Sequence, residues 1–124
     1  MTLRLSLPAE PLAAREARRA VSAWARSHDL SERLDDLELV TSELVTNATV
    51  HGLGPVIVEL YDKGQSLRLQ VTDSGALAPS PRRASSEDDS GRGLMIVAAL
   101  ALAWGSSVNG SVTQVWAELA ISAE

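Results

Sequence analysis

The chain holds 124 residues, the size of one domain, with 45% hydrophobic and 22% charged residues, a globular balance. It has no cysteine, which removes disulfide frameworks, thiol catalysis and cysteine-ligated zinc. Its formal charge of −5 speaks against non-specific nucleic-acid binding, which requires phosphates to be neutralised.

The chain opens with Leu3, Leu5 and Leu7 alternating with Arg4 and Ser6, a period-two pattern that predicts a half-buried strand. Pro8 and Pro11 follow, and a helix is expected over about 11–27, with Leu12, Ala13, Ala17, Ala20, Val21 and Trp24 on its apolar side. Arg15, Arg18 and Arg19 read as its solvated face. Apolar residues at intervals of three and four, from Leu34 to Ala48, predict a second helix over about 31–51. Ser31 is expected at its N-cap and Gly52 at its C-terminal stop. Strands are predicted over 56–62 and 67–73, joined by Lys63-Gly64-Gln65-Ser66. Residues 76–92 are polar and serine-rich, with Pro79 and Pro81. Loops of that length are usually lids, binding loops or disordered. An apolar helix then runs from Gly93 or Leu94 to about Trp104-Gly105, and strands over 106–109 and 113–121 turn at Asn109-Gly110.

This order predicts an α+β two-layer sandwich in a single domain, 1–124, with a mixed, mostly antiparallel sheet under a helical layer. With three Trp, one Tyr and no Phe, its core is built from Leu, Val, Ile and Ala. Met1–Glu10 lacks the apolar stretch of a secretion signal, and Leu94–Trp104 is too short to span a bilayer. The expected setting is cytoplasmic, away from membrane and nucleic acid.

Four segments carry residues suited to chemistry. Glu43, Asn47 and His51 are four apart, hence on one helical face beside the apolar stripe. A carboxylate there can take a proton or orient a hydroxyl, and a carboxamide oxygen suits Mg²⁺; as ordinary surface polar residues they need no such role. Asp73 ends a strand and enters Ser74-Gly75. It either makes a turn or accepts a hydrogen bond from an exocyclic amine such as adenine's, with Gly75 admitting a flat base. Gly91-Arg92-Gly93-Leu94 joins the polar loop to a helix, either as a hinge or as a phosphate site at the helix N-terminus. Thr113, in Gly110-Ser111-Val112-Thr113, opens the last strand and by itself suggests only packing.

Together these segments resemble the GHKL (Bergerat-type) ATP-binding superfamily over nearly the whole chain. The likeness is greatest to small bacterial anti-sigma-factor serine/threonine kinases and related stand-alone regulatory proteins. Glu43–Ala48 with His51-Gly52 resembles the N box, Asp73-Ser74-Gly75 and Gly91-Arg92-Gly93-Leu94 the two glycine boxes, and Gly110–Thr113 the late G-x-x-T element. The resemblance implies ATP and Mg²⁺ as cofactors, with Asn47 on the metal and Glu43 as general base toward a protein hydroxyl. It implies Asp73 on the adenine amine, supported by Thr113, and Gly91, Gly93 and Arg92 in a lid over the phosphates. Implied partners are a sigma factor or an anti-sigma-factor antagonist, with a homodimer as a further option. The chain departs from the pattern at Leu77, where the first glycine box usually has its second glycine. A non-catalytic interaction module is the competing expectation.

Overall fold

The computed structural model describes residues 3–51, 54–74 and 89–121. Among them the elements follow in the order β1 (Leu3–Leu7), α1 (Ala13–Ser27), α2 (Leu34–His51), β2 (Val56–Asp62), β3 (Ser66–Asp73), α3 (Asp89–Leu100), β4 (Ala103–Asn109) and β5 (Val112–Ala120). The strands form one sheet in the order β1-β2-β3-β5-β4. The α+β two-layer fold is as expected. Every pairing in the sheet is antiparallel, so the sheet is not mixed.

Strand alternation determines which side chains enter the core. Val56, Val58 and Leu60 of β2, Leu67, Leu69 and Val71 of β3, and Val115, Ala117 and Leu119 of β5 are all buried. The register stacks them, with Val58 opposite Val71, Leu69 opposite Ala117 and Val71 opposite Val115. The helices cover this face. α2 occupies the middle of their layer, touching α1, α3 and the three central strands, and its Leu37, Val40, Leu44 and Val45 are fully buried.

α1 ends as helices with a left-handed residue do. Asp29 takes φ 60°, the Leu30 N–H donates to the Ala25 carbonyl at 2.8 Å, and the Asp29 N–H donates to the Arg26 carbonyl at 3.4 Å. Aspartate fills the place where glycine is usual, since short polar side chains tolerate positive φ. Ser31 is not an N-cap. It lies in a 3₁₀ turn, Ser31–Arg33, that runs into α2 and has no side-chain cap.

The third helix differs most from expectation. It spans Asp89–Leu100, starting earlier and ending earlier than predicted, and Trp104 belongs to β4. The apolar run from Leu94 to Trp104 serves two elements, and a continuous apolar run carries no periodic mark of where helix gives way to strand. The β4–β5 hairpin turns at Gly110-Ser111, between the pair Asn109 and Val112, with Gly110 at φ 67°. Gly52, Gly75 and the predicted lid over 76–88 lie outside the described residues, and 89–92 are helical. Among the described residues no helix is long and apolar enough to cross a membrane.

Candidate functional site

In the core-facing alternation of β3, Leu67, Leu69 and Val71 are followed by Asp73; in that of β5, Val115, Ala117 and Leu119 are preceded by Thr113. Both polar residues therefore take positions that the pattern reserves for apolar ones. Asp73 is 6% exposed and Thr113 1%, and they are direct cross-strand partners. The Thr113 hydroxyl is buried with no hydrogen-bond partner. A buried hydroxyl without a partner costs roughly 1–3 kcal/mol, so its position at the end of two central strands calls for a reason other than stability.

The connection from α2 places a third polar residue at the same end of the sheet. α2 stops at His51 and β2 begins at Val56, and the β2 register sets Ile57 opposite Thr72. Within this connection Gly54, at φ 70°, lies against Ser74, and a Cβ there would be 3.8 Å from the Ser74 Cβ and Oγ. The C-terminal end of α2 is thus tied to the end of β3. Asn47, about one turn before that helix end, is 8% exposed, and Glu43, one turn further back, is half-buried.

Five polar residues are buried among the described ones: Ser22, Thr41, Asn47, Asp73 and Thr113. Two of them are satisfied within the helices. The Thr41 hydroxyl donates to the Leu37 carbonyl at 2.7 Å, and the Ser22 hydroxyl donates to Glu38. The other three are residues singled out from the sequence, and the fold gathers them at the α2/β3/β5 end.

The remaining predicted residues sit on α3. Gly91, Arg92 and Gly93 lie inside its N-terminal turns, not before the helix as expected, and Leu94 is half-buried against the core. α3 packs on α2, and Leu102, just beyond its C-terminus, donates to the Glu118 carbonyl at 2.7 Å, at the sheet end opposite Thr113. The helix therefore finishes away from the polar end. Among the described residues no group of three or more His, Cys, Asp or Glu converges as a metal site. Read from the residues alone, the pairing of Asp73 with Thr113 was not found, and only the family resemblance joined the two. Its signal was present as two polar residues that break two apolar alternations.

A nearly buried asparagine late in the central helix and a buried Asp–Thr pair at the sheet end, with the motifs in this order, fit one family. The histidine kinase-like ATPase domain model matches residues 7–118. The chain belongs to that family. No curated protein is a match. Solved structures share the fold of this ATPase domain. The chain with the RsbU and RsbW domains of Rv1364c from Mycobacterium tuberculosis is similar with a TM-score of 0.72 and 22% identity, over 98% of this chain and 33% of that one. The histidine kinase domain of a blue-light activated kinase from Erythrobacter litoralis is similar with a TM-score of 0.55 and 23% identity, over 73% and 45%. The histidine kinase AdeS from Acinetobacter baumannii is similar with a TM-score of 0.58 and 15% identity, over 98% and 69%. The chain thus spans a third of the length of the Mycobacterium chain and under half of the Erythrobacter one.

Proposed function

We propose that this ATPase-family domain binds Mg-ATP, phosphorylates a serine or threonine of an antagonist protein, and restrains a partner such as a sigma factor. The observation that carries the nucleotide part is the buried, unpartnered hydroxyl of Thr113 directly opposite Asp73. A carboxylate and a hydroxyl at the floor of a site suit the amine edge of adenine, which offers a donor to one and an acceptor to the other. The donor set for magnesium also fits. Mg²⁺ keeps several waters and leans on phosphate oxygens, so the Asn47 carboxamide suffices and no carboxylate cluster is needed.

Bound Mg-ATP supplies the phosphoryl group and neutralises charge on it. The chain's own residues position and deprotonate. Asp73 and Thr113 fix the base, Asn47 fixes the metal side of the triphosphate, and Glu43, one helical turn away, takes the proton from the attacking hydroxyl. The hydroxyl oxygen forms the new P–O bond as the bond to the β-phosphate breaks, a reaction that requires positioning more than covalent help. Gly91, in the first turn of α3, offers a free N–H to the phosphates where the helix dipole favours anions, Arg92 adds charge there, and Gly93 allows close approach. Gly75 admits the base.

Leu77, in place of a glycine, favours a second reading, in which nucleotide binding is retained or lost without catalysis. Calorimetric titration with ATP, with and without Mg²⁺, tests the nucleotide. Incubation with Mg-ATP and candidate anti-sigma antagonists, followed by phosphoserine and phosphothreonine mapping, tests the transfer. ATP binding without phosphorylation of any antagonist would leave the interaction module as the function.

A further inference from the structure

Among the described residues, the lysines and arginines of β1–β3, α1 and the turn before α2 fall into two groups. Arg4 pairs with Glu59 at 3.5 Å, Arg33 with Asp36 at 3.7 Å, and Lys63 and Arg68 with Glu118 at 2.9 and 3.8 Å. Arg15, Arg19 and Arg26 make no ion pair or hydrogen bond among the described residues, and Arg18 reaches only the neutral Ser42 hydroxyl, at 3.1 Å. All four of these arginines line one open groove of about 300 Å³ along α1, with Ser22 and Glu38.

We propose that this groove is the docking surface for an acidic segment of a partner protein. Arg15, Arg19 and Arg26 follow a helical stripe, so their side chains lie on one side of α1. From Arg15 to Arg26 the helix rises roughly 16 Å, at about 1.5 Å per residue. An extended segment of about five residues covers that length at about 3.3 Å each. Two carboxylates oppose the cations. Glu38 is inside the groove, where its carboxylate already accepts from Ser22, and Asp35 lines the adjoining groove with Arg18 and Leu39. Four guanidinium groups against one committed carboxylate leave the groove positive on a chain whose formal charge is −5. Planar guanidinium forks match carboxylates bidentately.

The apolar border belongs to the same surface. Leu12, 58% exposed, precedes Arg15 by three residues on the same stripe, and Leu39 is exposed across the groove. The partner segment therefore carries an apolar residue beside its acids. A nucleic acid is disfavoured, because the rest of the chain repels a polyanion longer than the groove.

The test uses the whole chain and a fluorescent oligoglutamate peptide flanked by leucines, read by anisotropy at low and rising salt. Wild type is expected to bind saturably, with affinity falling as salt rises. Arg15→Glu/Arg19→Glu/Arg26→Glu together should weaken binding at least about tenfold, while Arg15→Lys/Arg19→Lys/Arg26→Lys, which keeps the charge and loses the forks, should weaken it by less. ATP affinity, measured in parallel, stays unchanged in both, which separates this surface from the nucleotide site. If the charge-reversed chain does not fold, the corresponding triple Gln variant gives the same reading, since all three side chains are exposed. The proposal is overturned by the absence of saturable wild-type binding at low salt, by equal binding of the reversed variant, or by a DNA duplex binding more tightly than the peptide through the same arginines.

Discussion

Asp73 and Thr113 face each other across the β3–β5 ladder, both buried, and the threonine hydroxyl has no hydrogen-bond partner. The pair occupies the last core-facing position on two strands that are otherwise apolar on that side. Such an arrangement opposes stability and favours recognition of a polar ligand edge.

A single substitution at Thr113 separates those two effects. Thr113→Val keeps the shape and removes the hydroxyl. Urea unfolding should show stability unchanged or raised by about 1 kcal/mol, because an unsatisfied buried group is lost. ATP affinity, from calorimetry on the same sample, should fall roughly fivefold to tenfold, the scale of one hydrogen bond. A drop in stability with unchanged ATP affinity would assign the hydroxyl to the fold.

Asn47 is nearly buried, one turn before the end of α2. Asn47→Ala should weaken Mg-ATP binding by about 1.5–3 kcal/mol, as for a bond to a charged group. The effect should shrink when the titration is repeated with excess chelator. Equal losses with and without Mg²⁺ would place Asn47 on the nucleotide and not on the metal side.

Glu43→Gln retains shape and removes the base. Phosphoryl transfer to the antagonist should fall about 10²–10⁴-fold, while ATP affinity stays within about twofold. Single-turnover transfer of labelled phosphate measures the first and calorimetry the second. A variant as active as the wild type would remove Glu43 from the chemistry.

Gly105 on β4 lies beneath the Trp116 ring. A Cβ there would meet ring carbons and the indole nitrogen at 3.0–3.1 Å, and the Arg68 guanidinium sits 4.4 Å from the same ring. Gly105→Ala must therefore shift an aromatic ring that also stacks with Arg68. A loss of about 1–3 kcal/mol is expected from overpacking, read by thermal unfolding. Leu69→Ala, in the centre of the sheet, should cost about 2–5 kcal/mol through the cavity it leaves.

Most of the local structure, and the family, were legible from the residues alone. Alternation marked β2, β3 and β5, helical spacing marked α1 and α2, and the order of short polar motifs pointed to the family, because these signals depend on neighbours a few residues apart. Tertiary structure fixes the register that puts Asp73 opposite Thr113, sets Gly54 against Ser74, and divides the apolar run after Leu94 at Leu100. It also sets the arginines of α1, which read as an ordinary solvated face, along a groove with Glu38 without ion pairs, while Arg4, Arg33, Lys63 and Arg68 have acidic partners. Register, strand order and charge pairing depend on segments distant in the chain, and no local period encodes which of them will meet.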